Sequence, residues 1–82
     1  MPRPLGRPVG PGWVVVERLT GSGDQVRAEG ELLVAAALAA RGLEVAQLAP
    51  GDLRTETIPL GAGKEATVFL LRAGVLSHAR PS

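Results

Sequence analysis

The sequence contains no cysteine, which excludes disulfide bonds, thiolate metal ligands and cysteine nucleophiles. Small secreted domains usually depend on disulfides, so we expect an intracellular, cytoplasmic protein. Long hydrophobic runs are also lacking, since the longest, residues 32–40, is far below the roughly 20 residues that span a bilayer. The start of the chain has no apolar segment of the signal-peptide type. We therefore expect no association with a membrane.

Aromatic residues and excess charge are equally scarce. Trp13 and Phe69 are the only aromatic residues, which leaves little on which nucleic-acid bases could stack. The net charge is +1, so the composition gives no strong attraction for a polyanion. Every basic residue except Lys64 is an arginine, as in a GC-rich coding sequence of bacterial type. A weak nucleic-acid-binding accessory role is therefore only an alternative interpretation.

The sequence offers no set of residues suited to catalysis. His78 is the only histidine, and it stands beside Ser77 near the end of the chain. Adjacent residues in a loose tail do not hold a nucleophile and a base in reactive geometry. The carboxylates are scattered, so they do not suggest a metal site. We predict a non-enzymatic protein with no catalytic residues, no metal and no cofactor.

The chain divides into an arm, one domain and a short tail. Residues 1–12, MPRPLGRPVGPG, are rich in proline, glycine and arginine and are predicted to form a disordered arm. Residues 13–76 are predicted to form a single α/β domain, in keeping with the length of the chain. Residues 77–82 are predicted to be a frayed tail.

Hydrophobic patterning predicts one helix and four strands in this domain. The helix is expected over residues 23–41, and the strands over residues 13–19, 43–48, 54–60 and 65–72. The predicted fold class is α/β, of an α+β-like kind: a small mixed β-sheet of order β-α-β-β-β, with the helix packed on one face. The crossover through the helix would make the first two strands parallel, and the short later loops would make the others antiparallel.

Both ends of the helix carry capping signals. Ser22 and Gln25 match a capping box, in which each side chain accepts a hydrogen bond from the other residue's backbone. Gly42 and Leu43 match a helix end that closes through a left-handed residue and an apolar contact. A projection at 100° per residue predicts a core face of mostly small residues, namely Val26, Gly30, Leu33, Ala37 and Ala40.

The helix packing and the turns add further predictions. A close approach of another element would explain Gly30, while Leu32 and Leu38 lie off the predicted core face. Residues 49–52 match a type II turn with Gly51 at positive φ, and residues 61–64 a hairpin loop. Pro59 lacks an N–H group, so its strand should lie at an edge or leave the sheet there.

One loop has the setting of an anion site. The segment Gly21, Ser22 and Gly23 follows a strand and precedes a helix, so its backbone N–H groups are a candidate phosphate-binding site. The G-x-G-x-x-G fingerprint fails, because Val26 stands where the last glycine belongs. The predicted capping box and the charge of Asp24 also compete with an anion. The structural role as a helix start is favoured.

The order of the first strand, the helix and the segment RGLEVAQLAP at residues 41–50 resembles the opening βαβ unit of many nucleotide- and amino-acid-ligating enzymes. The resemblance implies a parallel βαβ unit and assigns no site residue, because a shared fold alone does not assign an activity.

The strongest functional indication is a second apolar face. The first and last predicted strands are apolar on both faces, and a single helix covers only one. We therefore expect a self-associating module, most simply a homodimer, or a module that binds another protein, through sheet packing or through an edge of the third or fourth strand. The candidate interface residues are Val14, Val16, Val68 and Leu70. The opposite parity would give Val15, Phe69 and Leu71 instead. The alternative function is a small-ligand or phosphate binder at residues 21–25.

Overall fold

The computed structural model describes residues 12–78. The predicted arm at residues 1–12, apart from Gly12, and the end of the predicted tail at residues 79–82 lie outside this range, so both remain predictions. The described elements are β1 (Trp13–Thr20), α1 (Asp24–Ala39), a 3-10 helix (Val45–Gln47), β2 (Leu53–Gly61), β3 (Lys64–Arg72) and a second 3-10 helix (Ala73–His78).

The strands form one antiparallel sheet in the order β1-β3-β2, and α1 packs on one of its faces. The fold class is thereby confirmed, as a small α/β fold with one helix on one face. Since β3 pairs antiparallel with both neighbours, β1 and β2 run in the same direction without pairing with each other. The predicted parallel pairing of adjacent strands is wrong, because its second strand does not form.

The segment predicted as that strand, residues 43–48, folds differently. Leu43 is only 6 % exposed and belongs to the core at the end of the helix. The next residues form the 3-10 helix, in which the Glu44 backbone N–H donates to the Gln47 side chain at 2.8 Å. Because local partners satisfy this backbone, the segment does not pair with the sheet. The βαβ unit implied by the resemblance is therefore absent from residues 13–50.

The predictions for the two ends of the helix had different outcomes. The Ser22–Gln25 capping box is wrong: Gly23 is the N-cap residue, and the Ser22 hydroxyl donates to Glu65 Oε1 at 2.9 Å. At the other end the closure is confirmed. The Gly42 N–H donates to the Ala39 carbonyl and the Leu43 N–H to the Leu38 carbonyl, both at 3.0 Å, with Gly42 at φ 77°. These are the two bonds of a Schellman motif.

The core lies between α1 and β3. Val34 and Leu38 from the helix and Phe69 and Leu71 from the strand are fully buried. The close approach at Gly30 is confirmed, because a Cβ atom there would lie 2.1 Å from Cε1 of Phe69.

This contact sets the rotation of α1, so that the buried row runs through residues 30, 34 and 38. The predicted helix face is therefore only partly right. Leu33 is 39 % exposed and Ala40 is exposed, whereas Leu38, predicted to lie off the core face, is buried. Leu32, also predicted to lie off that face, is 74 % exposed.

The predicted turns are confirmed. The Asp52 N–H donates to the Ala49 carbonyl at 3.0 Å, and Gly51 has φ 86°, as a type II turn requires. Ala62 and Gly63 join β2 to β3, and both have positive φ, as in a type I′ hairpin. Pro59 lies in β2, which is an edge strand as predicted.

Candidate interaction surface

The sheet surface opposite α1, which we call the open face, is the candidate site. Alternate residues of β3 point to opposite sides of the sheet. Phe69 and Leu71 pack beneath the helix, so Val68 and Leu70 belong to the open face. A groove of about 330 Å³ runs over this face, and its lining residues are Val15, Arg18, Glu56, Ile58, Val68 and Leu70.

The open face is built of cross-strand rows, each with one residue from β1, one from β3 and one from β2. In this order the rows are Val15–Leu70–Arg54, Arg18–Val68–Glu56 and Thr20–Ala66–Ile58. Directly paired residues of antiparallel strands lie on the same side of the sheet and interact. The central column of the face is therefore apolar, and the flanking columns carry its charges.

The apolar column of the open face is little exposed, and one contact between the outer strands passes over it. Val68 and Leu70 are each only 5 % exposed, although the described helix lies on the other side of the sheet. The Arg54 guanidinium carbon lies 5.1 Å from the centre of the Trp13 ring. Since Arg54 and Trp13 come from the two outer strands, this contact bridges the central strand. Long side chains can cover apolar surface in this way while their charged ends stay hydrated.

The Trp13 ring also contacts a second arginine. The guanidinium carbon of Arg72 lies 4.8 Å from the ring centre. Arg72 is held in place by Asp52, since its Nε donates to Oδ1 at 3.1 Å. Asp52 Oδ2 in turn accepts from the Ala49 N–H at 2.9 Å, within the type II turn. This cluster ties the end of the open face to the loop that precedes β2.

The predicted interface residues lie on both sides of the sheet. Val68 and Leu70 are on the open face, but Val14 and Val16 pack against the core beneath α1. Val15 pairs with Leu70 and is therefore the open-face valine of β1, and the β-bulge that follows it brings Arg18 to the same face. In the alternative set, Val15 is likewise on the open face, whereas Phe69 and Leu71 are buried beneath the helix.

Sequence reasoning missed the residues that flank the apolar column. Arg54, Glu56 and Ile58 alternate along β2 and all lie on the open face, together with Arg18 of β1. The alternation was visible in the sequence and is typical of a strand with one side in contact with solvent. Their position beside β3 could not be predicted from the sequence, because it depends on the order of the strands in the sheet.

The edges of the sheet are poor templates for another strand. The fourth predicted strand, β3, is central, so the prediction that its edge could pair is wrong. The outer strand β1 contains the bulge described above, and β2 contains Pro59 and a second irregularity between Pro59 and Gly61. Bulges and prolines are the usual features that prevent edge-to-edge pairing.

Groups of the candidate anion-binding loop, residues 21–23, already form hydrogen bonds within the chain. The Gly21 N–H donates to the Glu65 carbonyl at 2.7 Å, and the Ser22 hydroxyl donates to the Glu65 carboxylate. Asp24 adds a second carboxylate in the first turn of the helix. Because two negative charges lie at this helix start, the local electrostatics oppose a phosphate at Gly21, Ser22 and Gly23.

Residues 12–78 contain no group of three or more side chains suited to hold a metal ion. No helix in the same range is both long and apolar enough to cross a membrane. Comparison with known proteins gives no match: no protein-family model, no curated protein and no solved structure matches this chain.

Proposed function

We propose that this protein is a non-enzymatic module that associates through the open face of its sheet, either with itself or with another protein. The observation that carries the proposal is the apolar groove on that face. Val15, Ile58, Val68 and Leu70 line it, and none of the described helices covers it. Ile58 is 43 % exposed in the single chain, so an exposed apolar surface remains for a partner.

The size of the domain supports association. A domain of about 60 residues buries only about 60 % of the surface of its unfolded chain, which leaves a narrow margin of stability. A layer packed on the open face would bury the remaining apolar surface of the sheet. The irregular edges of β1 and β2 favour packing by the face over pairing by an edge. We place this association in the cytoplasm, in keeping with the absence of cysteine.

The test is the solution mass of three proteins measured by light scattering during size-exclusion chromatography. The wild type is compared with Ile58→Lys, which puts a charge in the groove, and with Leu32→Lys on α1. Leu32 is 74 % exposed and serves as the matched control. We expect the wild type and Leu32→Lys to have a mass at least twice the 8.4 kDa of the chain.

We expect Ile58→Lys to shift toward the single-chain mass, because burying an unpaired ammonium group opposes association. Two results together would contradict the proposal. The wild type would be monomeric over a tenfold concentration range, and a pull-down with it would recover no protein that Ile58→Lys fails to recover. If the wild type and Ile58→Lys have the same oligomeric mass, association uses another surface.

A further inference from the structure

We infer that the partner on the open face is a second copy of this chain, related by a two-fold axis parallel to β3. In this arrangement Arg18 of each copy pairs with Glu56 of the other copy. The inference rests on the proposed function and deepens it, because it names the partner, the symmetry and the residues that fix the register.

The charges of one row carry the inference. Arg18 and Glu56 lie on the outer strands, on either side of Val68. Both side chains are exposed and both line the groove. One flank of this row is therefore positive and the other negative, with an apolar residue between them. Such a row is complementary to its own reversed copy.

A two-fold axis parallel to β3 produces this reversal. The rotation turns the second sheet over and exchanges its outer strands, so that β1 of one copy faces β2 of the other. Val68 then faces Val68, and Arg18 faces Glu56 on both sides of the axis. Facing sheets pack about 10 Å apart, a gap that the side chains of the two layers fill. A two-fold contact repeats each pair, so two ion pairs flank the apolar centre.

An axis across the strands gives a different result. If it passes through the row of Val68, Arg18 faces Arg18 and Glu56 faces Glu56, and like charges in an interface are unfavourable. If it passes between the rows of Val68 and Leu70, Arg54 faces Glu56 of the other copy. This second arrangement is the competing one, and it has to be distinguished by experiment.

The contacts of the two arginines favour the parallel axis. Arg54 is already engaged within the chain, with its guanidinium over Trp13 and its Nη2 atom 3.9 Å from Glu56. Arg18 makes no ion pair with any carboxylate in residues 12–78. The unpaired arginine beside the groove is thus the one that the parallel axis brings to Glu56. Within the chain Arg54 approaches only Oε2 of Glu56, whose side chain is 47 % exposed, so this carboxylate is still accessible to Arg18 of a second copy.

The test uses charge reversal in two variants, Arg18→Glu and Glu56→Arg. Each variant alone would place two like-charged pairs in its own homodimer. We expect each to raise the dimer Kd by at least about tenfold, since several charge contacts change sign together. An equimolar mixture restores both pairs, because the first variant is negative at both positions and the second is positive at both. We expect the mixed dimer to have a Kd within about threefold of the wild type.

The matched control is a mixture of Arg54→Glu with Glu56→Arg. This mixture restores two opposite-charge pairs between positions 54 and 56 only if the axis crosses the strands. Far-UV circular dichroism of each variant verifies that it is folded. Recovery in the first mixture and not in the control confirms the inference. Recovery in the control, or in neither mixture, overturns it. In either of these cases, Ile58→Lys shows which part of the account fails. If the wild type is a dimer and Ile58→Lys is a monomer, the open face is used and only the proposed symmetry is wrong.

Discussion

The contact between Gly30 and Phe69 allows a quantitative test of how the helix packs. We consider the substitution Gly30→Ala, which adds a single methyl group. Its Cβ atom would lie 2.1 and 2.2 Å from two carbons of the Phe69 ring and 3.1 Å from Cδ1 of Leu19. Non-bonded carbon atoms prefer separations of about 3.5–4.0 Å, so the ring or the helix has to move by more than about 1 Å.

Two effects of opposite sign decide the outcome. Replacing glycine by alanine inside a helix stabilises it by about 1 kcal/mol when nothing else changes. Forcing an extra carbon into a packed core costs about 1–3 kcal/mol, and here the ring is fully buried beside Val34 and Leu38. Because the new methyl group would lie only 2.1 and 2.2 Å from the ring carbons, we expect a steric cost of about 2–3 kcal/mol, in the upper part of this range, and a net loss of about 1–2 kcal/mol. For a domain of this size, that lowers Tm by roughly 5–15 °C.

The assay is urea and thermal unfolding followed by circular dichroism, at one fixed protein concentration because association alters apparent stability. Ala36→Gly is the control for helix propensity. Ala36 is exposed, so we expect a loss of about 1 kcal/mol. The variant Phe69→Leu removes the ring carbons that collide with the new methyl group. In that background Gly30→Ala should no longer destabilise the protein.

A stabilisation of about 1 kcal/mol by Gly30→Ala in the wild-type background would refute the reasoning, because it would mean that the helix is not held against Phe69. An equal loss in the wild-type and Phe69→Leu backgrounds would also refute it, because the cost would then not come from the ring.

Two further predictions concern the hairpin and the helix rotation. Ala62 has φ 55°, a region that is unfavourable for a residue with a side chain, so Ala62→Gly should raise the stability by up to about 1 kcal/mol in urea unfolding; a loss would contradict the type I′ turn. Leu38→Ala should cost about 2–5 kcal/mol, and Leu32→Ala less than about 0.5 kcal/mol, because only the first side chain is buried; similar losses would contradict the observed rotation of α1.

The features that were predicted correctly depend on neighbouring residues. The helix end at Gly42, the turn at Gly51 and the hairpin at residues 61–64 each follow from a few adjacent residues. The close approach at Gly30 was also visible, because glycine inside a helix has a cost that packing can justify. Local backbone preferences suffice for these features.

The features that were missed depend on distant partners. Ser22 matches a capping box, but Glu65 of β3 lies within hydrogen-bonding distance of its hydroxyl and changes the cap. The bulge between Val15 and Glu17 depends on pairing with β3, and it brings Arg18 rather than Glu17 to the same face as Val15. Likewise, Arg18 and Glu56 are 38 positions apart in sequence (56 − 18) and become a flanking pair only in the order β1-β3-β2. No local pattern contains this information.

The central claim is that the open face meets a second copy of the chain. Isotope-filtered NOE spectroscopy on an equal mixture of labelled and unlabelled protein detects only contacts between copies. We predict intermolecular NOEs from the methyl groups of Val15, Ile58, Val68 and Leu70. Intermolecular NOEs confined to the exposed side of α1, at Leu32 and Leu33, would contradict the claim, as would their complete absence at millimolar concentration.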